Sequence, residues 1–172
     1  TWRFTHALLR PSAEHNESKW GRTGGTGHPM SVALAPGEIL FVVSRGSGHN
    51  TADWGRDILC RIGKMTIDED HIGDFARGGL TWPVGLAVGG DGRVYCSDEY
   101  MHAILIFDPD AIQPFPEFDE DGEEIGRWGE RGSAPGQIDG PAGIEFDADD
   151  NLLVVDSRND RVQRFTKDGE FL

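Results

Sequence analysis

Three histidines in separate segments carry the side chains that are best suited to binding a metal ion. His28, His49 and His102 lie far apart in the 172-residue sequence, and imidazole is a good ligand for zinc, copper or iron. Their spacing matches no paired Cys or His-Glu motif of the kind that marks a zinc centre. A divalent metal such as zinc, held by these three side chains, is a hypothesis that depends on the fold bringing them together.

An acidic run offers a second metal hypothesis, this time for calcium. Residues 119–122 have the sequence Asp-Glu-Asp-Gly within the segment 113–124, and clustered carboxylate oxygens are ligands that calcium prefers. The run lacks the twelve-residue pattern of a dedicated calcium loop, so a solvated acidic turn is favoured. The chain also has no glycine-rich phosphate loop, nucleophile elbow or paired catalytic Cys-His spacing.

The charge balance limits the classes of partner. Asp and Glu number 30 against 16 Lys and Arg, a formal net charge of −14, so the surface repels nucleic-acid phosphates and anionic membranes. We therefore expect no nucleic acid and no membrane among the partners. Cys60 and Cys96 fall in different predicted strands, which favours buried free thiols over a disulfide. The first residues lack a secretory pattern, and the compartment stays open.

The elements that must position these side chains repeat along the chain. Three units open on a proline and continue as two apolar strands joined by a turn, over residues 29–44, 83–98 and 141–156. The strands are rich in β-branched and aromatic residues, and Gly, Asp and Asn mark the turns, as at 90–92 and 149–151.

Further strands complete each unit. Third strands are predicted at 58–62, 103–107 and 161–165, and fourth strands at 124–128 and from 170 onward. Four antiparallel strands per unit is the plan of a propeller blade, so the predicted fold is all-β. The predicted division is the end of a preceding blade at 1–27 and then blades at 28–82, 83–140 and 141–172.

Two stretches carry a family resemblance. Residues 126–132, 135–137 and 141–144 resemble the linker and first strand of NHL repeats. Residues 155–165 resemble the Asp, Asn, Arg, apolar, Gln, Phe core of that repeat. WD-type repeats are disfavoured, because no Gly-His or Trp-Asp pair recurs at fixed positions. The resemblance implies a six-bladed β-propeller of the NHL type, and this repeat serves many functions.

Three units are fewer than the four to eight blades of a closed propeller. Either the chain is a fragment of a larger propeller, or two copies complete one ring. The absence of an initial Met and the abrupt end at residues 171–172 favour the fragment.

Chain direction groups the loops of such blades. The fourth-to-first connection and the second-to-third loop of a four-stranded blade lie at the same end, and loops on a rigid scaffold are where binding usually occurs. We predict ligand or partner contacts for the polar residues at this end, namely His28, Arg45, His49, Asp98, His102 and Arg158.

An Asp at a strand end commonly accepts hydrogen bonds from turn amides, so Asp156, Asn159 and Arg161 are predicted to fix a turn. Asp98 has Met101 and Ala103 at the matching positions, which leaves Asp98 freer for another role.

Two functions remain open. The favoured one is a scaffold that binds a protein, peptide or small-molecule ligand through this end. The alternative is a metal-dependent lyase or hydrolase with its site at the mouth of the central channel. Peptide-amidating lyases are propellers similar to these repeats and place His directly after the first-strand proline, where this chain has Met30, Val84 and Ala142. Trp54, Trp82 and Trp128 are predicted to pack between blades.

Overall fold

The part of the chain that the structure describes folds into three antiparallel β-sheets. The computed structural model describes residues 29–45, 60–68, 71–76, 79–108 and 124–172. Sheet 1 consists of β1 (Pro29–Ala35), β2 (Ile39–Ser44), β3 (Arg61–Thr66) and β4 (His71–Ala76), in that order. Sheet 2 consists of β5 (Pro83–Val88), β6 (Val94–Asp98), β7 (Ala103–Phe107) and β8 (Glu124–Trp128), also in chain order. Sheet 3 consists of β9 (Pro141–Phe146), β10 (Leu152–Asp156) and β11 (Arg161–Phe165).

Strands that follow each other in the chain are neighbours in every sheet, which is the plan of propeller blades. The all-β propeller prediction is therefore confirmed, and the described sheets do not close a ring. Phe171 forms an antiparallel bridge with Phe165, so residues 170–172 lie where a fourth strand of sheet 3 begins. Among the residues that the structure describes, no helix is long and apolar enough to cross a membrane.

The first unit differs from its prediction in two strands. Its third strand was expected at 58–62, but β3 runs Arg61–Thr66, because each residue of β2 pairs with one of these six in continuous register. Hydrogen bonding to the neighbour therefore sets the position of β3, and not the apolar run 58–60. The fourth strand, β4 at His71–Ala76, carries too little apolar pattern for the sequence to reveal it.

Sheet 2 packs against a neighbouring sheet on each of its two sides. Every residue of β6 and β7 is buried, whereas β9 and β11 alternate between buried and more exposed residues. One side of sheet 2 packs on sheet 1 through a cluster that includes Phe41, Val43 and Leu105. The other side packs on sheet 3 through a cluster that includes Tyr95, Ile104 and Leu152. The uninterrupted apolar run of β7 is what two-sided burial favours in a strand.

Gly85 and Ser97 form a close junction between sheets 2 and 3. Ser97 Oγ accepts the Gly85 N–H at 2.8 Å and donates to the carbonyl oxygen of Ala142 in β9. A Cβ at Gly85 would lie 2.5 Å from that same carbonyl oxygen, so only glycine allows the backbones to approach this closely.

Replacing Ser97 with alanine should lower the free energy of unfolding by about 1–3 kcal/mol, because the Gly85 amide and the Ala142 carbonyl would lose a partner at a buried junction. Chemical denaturation of the full chain measures the loss. The matched control is Ser133→Ala, at an exposed position, which should change stability by less than about 0.5 kcal/mol. Equal denaturation midpoints for the two variants would contradict the structural role of Ser97.

Candidate binding face

The loop face is the end of the three sheets at which each first strand begins and each second strand ends. The strand register pairs one residue of each kind here, namely Pro29 with Ser44, Pro83 with Asp98, and Pro141 with Asp156. The connections that enter the first strands and the loops that leave the second strands therefore share this face, as chain direction predicts.

Asp98, the last residue of β6, is buried in the loop face and anchors its backbone. One carboxylate oxygen accepts the N–H groups of Thr81 and Trp82 at 2.7 and 2.8 Å. The other accepts those of Tyr100 and Met101 at 3.1 and 3.0 Å. Four amide donors offset the cost of burying the charge. Asp98 was expected to be freer because matching Asn and Arg residues are missing, but backbone amides take their place and its side chain has no exposed surface.

Asp156 occupies the matching position in sheet 3 and is also buried. It accepts the Asp139 N–H at 2.6 Å and side-chain donors from Asn159 at 2.9 Å, Arg161 at 2.8 Å and Gln163 at 3.1 Å. Burial raises the pKa of Asp156, but the hydrogen bonds from Asp139, Asn159 and Arg161 outweigh burial and hold this pKa below its ordinary value. The structure therefore brings together the three residues that the sequence singled out as a turn-fixing set.

The Asp156 cluster also holds the connection that precedes sheet 3. Arg161 donates to the carbonyl oxygens of Ala134 and Gln137 at 2.8 and 2.7 Å. Gln163 donates to the same Gln137 oxygen at 2.7 Å and accepts the Gly136 N–H at 3.0 Å. The segment between β8 and β9 is thus fixed by the side chains of β11, although it contains almost no regular secondary structure.

Ion pairs join the three sheets across the loop face. Glu99, directly after Asp98, has one carboxylate oxygen 3.6 Å from the Arg45 guanidinium beside sheet 1. Its other oxygen accepts from Arg158 of sheet 3 at 3.0 Å. Arg158 also lies 3.3 Å from Asp139, which in turn lies 3.5 Å from Arg131. These residues are called the ion-pair chain: Arg45, Glu99, Arg158, Asp139 and Arg131.

Trp82 adds an aromatic surface to the ion-pair chain. The Arg45 guanidinium lies 4.5 Å from the centre of its ring, a cation–π distance, and Arg45 Nε donates to the Pro83 carbonyl at 2.7 Å. Trp82 keeps half of its surface exposed, and Tyr100 is still more exposed. The Trp82 ring therefore contacts Arg45 through its face at the surface, whereas the prediction of packing between blades expected a buried ring. Trp128 packs on Phe165 at 4.9 Å between ring centres, which links sheets 2 and 3.

His102 lies against the ion-pair chain through Asp139. Its Nδ1 atom accepts the Gly140 N–H at 3.1 Å and lies 3.1 Å from an Asp139 carboxylate oxygen. His102 adopts a left-handed backbone conformation at φ 54°, as does Asp160 at the matching position of sheet 3, at φ 52°.

The predicted site residues are therefore placed as follows. Arg45 and Arg158 meet through Glu99, and His102 lies beside Asp139. His28, His49, Trp54 and the acidic run 113–123 lie outside the described residues, so both metal hypotheses stay predictions. In the part of the chain that the structure describes, no group of three or more His, Cys, Asp or Glu side chains could hold a metal ion.

Sequence reasoning missed the residues that connect the predicted ones. Glu99 directly follows Asp98, and Asp139 lies two residues before Pro141. Asp98 and Pro141 are residues that recur in the repeat, so their sequence neighbours could have been identified as candidates. Tyr100 follows in the same loop. Their roles arise from contacts between blades, which no single repeat displays.

The cysteines do not offer a nucleophile to this face. Both are free, and Cys60 has its sulfur 3.9 Å from the Arg45 carbonyl oxygen. Burial raises the pKa of the Cys60 thiol to about 11, and burial raises that of Cys96, inside the core between sheets 1 and 2, well above its usual value. Both side chains therefore remain thiols near neutral pH, and the thiolate is the reactive form.

The opposite end of the sheets is held together by its own charges. Asp150 accepts the Gly90 N–H at 2.8 Å, and Lys167 lies 3.6 Å from Asp91 and from Asp150, so turns of sheets 2 and 3 meet here. The backbone amides of Asn151 and Asp149, together with Arg164, lower the pKa of Asp147. An open groove of about 670 Å³ lies between these turns, and Lys167 in its lining pairs with Asp91 and Asp150.

No family model and no curated protein matches the chain. Solved structures do match, among them a candidate gluconolactonase at 21% identity and a TM-score of 0.62, over 86% of this chain and 47% of that one. A nidogen/laminin complex matches at 16% identity and a TM-score of 0.56, over 83% of this chain and 45% of the other. Virginiamycin B lyase from Staphylococcus aureus matches at 14% identity and a TM-score of 0.49, over 84% and 40%. The matched folds are β-propellers, and this chain spans about half the length of the first two.

Proposed function

We propose that this chain is part of an NHL-type propeller and acts as a scaffold that binds a protein or peptide through its loop face. The observation that carries the proposal is the ion-pair chain, which fixes loops from three consecutive blades in one surface and leaves Trp82, Tyr100 and Arg158 exposed upon it.

The chemistry of these exposed groups suits a protein partner. Trp, Tyr and Arg are enriched at protein interfaces, because they bury a large area and still present a hydrogen-bond donor. Arg45 and Glu99 hold the position of Trp82 and Arg158, so little side-chain freedom is lost when a partner binds. A surface fixed in advance is what a binding scaffold needs.

The hydrogen bonds that the repeat residues form support the NHL assignment within this proposal. The Asp, Asn, Arg and Gln of the resemblance are Asp156, Asn159, Arg161 and Gln163, and all four join in one hydrogen-bonded cluster. Sheet 2 replaces the side-chain donors with backbone amides around Asp98. The repeat therefore serves the same purpose in both blades, which is to shape the loop that carries the exposed groups.

A displayed peptide library selected on the purified chain tests the binding function. Replacing Trp82 or Arg158 with alanine should weaken the selected peptides by about 5- to 30-fold each, the effect of losing an interface anchor worth about 1–2 kcal/mol. Fluorescence anisotropy with labelled peptides measures the dissociation constants.

Arg164→Ala is the matched control, because Arg164 is about as exposed as Arg158 and forms its ion pairs at the opposite end of the sheets. If the selected peptides bound the Arg158 and Trp82 variants as tightly as the unchanged chain, the loop face would not be their binding surface.

A further inference from the structure

The open groove between the turns of sheets 2 and 3 lies at the end of the sheets opposite the loop face. Its volume of about 670 Å³ is within the range of sites that hold a ligand group. The lining residues fall within three chain segments, 88–91, 145–150 and 167. The hydrogen bond between Gly90 and Asp150 and the ion pairs of Lys167 connect these segments, so the groove is held in shape without a partner.

Three side chains form the apolar part of the groove lining. Val88 and Phe146 are half-buried, and Ala148 is exposed at the turn between β9 and β10. The Phe146 ring packs on Tyr95 in an edge-to-face arrangement, with 4.9 Å between the ring centres. A side chain that enters the groove therefore meets a fixed aromatic ring beside smaller apolar groups.

The charged part of the lining is acidic. It comprises four carboxylates and one ammonium group, those of Asp91, Glu145, Asp147, Asp150 and Lys167. Two more carboxylates and two guanidinium groups lie at adjoining positions, namely Asp149, Asp168, Arg93 and Arg164. Six acidic side chains against three basic ones give this end of sheets 2 and 3 a formal charge of −3. Charge complementarity therefore favours a cationic ligand.

Glu145 is the lining carboxylate whose charge is available to a ligand. Asp91 and Asp150 each lie 3.6 Å from the Lys167 ammonium group, and Asp147 lies 2.7 Å from a guanidinium group. Glu145 is exposed, and in the described part of the chain no cation lies within ion-pair distance of it. A cation that a partner brings can therefore pair with Glu145 without displacing another.

Tyr95 adds an unused hydrogen-bonding group beside the groove. Its hydroxyl is buried and has no hydrogen-bond partner among the described residues. A Cβ on Gly89 would lie 3.2 Å from Tyr95 Cε2 and 3.3 Å from Phe146 Cζ, so the ring edge lies against the turn that carries Asp91. Burial and then the Asp91 carboxylate raise the pKa of Tyr95 to about 12, because its hydroxyl lies in the field of this lining residue. The hydroxyl oxygen remains free to accept from an N–H donor.

We infer that this groove binds a lysine or arginine side chain from a basic segment of a protein partner. Such a side chain combines an apolar stem, which suits Val88 and Phe146, with a cationic head, which suits Glu145. The groove and the loop face lie at opposite ends of the sheets, so the inference does not depend on the binding proposed for the loop face.

Fluorescence anisotropy of the full chain with labelled peptides tests the inference. The probe is an alanine peptide that carries arginines, and its reference is the same peptide with citrulline, which keeps the shape of arginine and lacks its charge. The arginine peptide should bind with a dissociation constant below about 1 mM, and the citrulline peptide should bind at least about 10-fold more weakly. Added salt should weaken the arginine peptide, because exposed charges are screened.

Two variants locate the binding in the groove. Glu145→Gln should weaken the arginine peptide by about 3- to 5-fold, since it removes the available carboxylate. Ala148→Arg should weaken it by at least about 10-fold, because the added guanidinium occupies the groove and pairs with its carboxylates. Both positions are exposed, so both variants should keep their far-ultraviolet circular dichroism. Glu38→Gln is the matched control, because it makes the same charge change in the exposed turn of sheet 1 at this end, outside the lining.

Equal binding of the arginine and citrulline peptides, or no binding of either, overturns the inference. If Glu38→Gln weakened the arginine peptide as much as Glu145→Gln does, the attraction would belong to the acidic surface in general and the groove would be rejected. Calorimetric titration with spermidine tests the other source of organic cations. Spermidine that bound more tightly than the arginine peptide, and lost its binding in Ala148→Arg, would assign the groove to a free polyamine and overturn the protein partner.

Discussion

Asp156→Ala should lower the free energy of unfolding by about 3–5 kcal/mol, the cost of removing one partner from a buried ion pair. The carboxylate has no exposed surface and accepts hydrogen bonds from the Asp139 amide, Asn159, Arg161 and Gln163. Without the carboxylate, the Arg161 charge loses its counter-ion and several donors lose their acceptor. Urea denaturation followed by circular dichroism measures the change.

Asp149→Ala is the control for Asp156→Ala. Asp149 lies at the opposite end of sheet 3, its side chain is 79% exposed, and it makes one ion pair with Arg164. Exposed pairs contribute about 0–1 kcal/mol, so this variant should stay within that range. If both alanine variants lost the same stability, the Asp156 cluster would not be the anchor of sheet 3.

The same carboxylate should make stability depend on pH. The folded-state pKa of Asp156 is lowered, so the unfolded chain takes up its proton first, near the ordinary Asp pKa of about 3.9. The contribution of Asp156 is therefore complete above that pH and is lost as the pH falls toward the folded-state pKa. The stability difference between the unchanged chain and Asp156→Asn should be largest above about pH 5 and shrink below about pH 4. A constant difference across this range would count against a charged Asp156.

Gly129→Ala should lower the free energy of unfolding by about 2–4 kcal/mol, because it combines backbone strain with overpacking. Gly129 directly follows β8 and has φ 135°, a conformation that alanine avoids. A Cβ there would lie 2.5 Å from the His102 carbonyl oxygen and 2.9 Å from the Ala103 Cα, both of them backbone atoms that cannot rotate away. The strain would fall on the start of β7 at the loop face. Thermal and urea denaturation give the size of the loss.

The same strand contains the control. Gly126 lies in β8 without a positive φ, and an added Cβ would meet only the Ile106 Cδ1 atom, at 3.9 Å. Gly126→Ala should therefore leave stability unchanged or raise it slightly, because alanine restricts the unfolded chain. Equal losses for Gly126→Ala and Gly129→Ala would show that β8 resists any side chain and that φ is not the cause.

Local sequence predicts the blades well where turn chemistry and apolar runs agree. The runs at 103–107 and 161–165 become β7 and β11 with the same bounds. The prediction fails for the third strand of the first unit, because β3 follows the register of β2. Its hydrogen bonds to β2 therefore override the preference of the apolar run at 58–60. A strand placed by its neighbour cannot be located from its own residues.

The loop face shows the same limit for side chains. The sequence singled out Asp156, Asn159 and Arg161 because the three interact within eleven residues of the repeat. Glu99 joins residues 54 positions before it and 59 after it, from two other blades, and no local pattern contains that information. Asp98 was predicted to be freer because matching Asn and Arg side chains are missing, but backbone amides donate hydrogen bonds to its carboxylate instead. Predictions from one repeat therefore find its internal anchors and miss the contacts between repeats.

The two-sided burial of sheet 2 has a consequence for how the molecule opens. The amides at the centre of β6 and β7 can exchange hydrogen with solvent only after a neighbouring sheet has moved away, whereas β10 and β11 of sheet 3 have a side that leads directly to water. Opening should therefore begin at sheet 3 and reach sheet 2 later. The amides of sheet 2 then exchange more slowly than those of sheet 3, and the loop that carries Glu99 belongs to sheet 2.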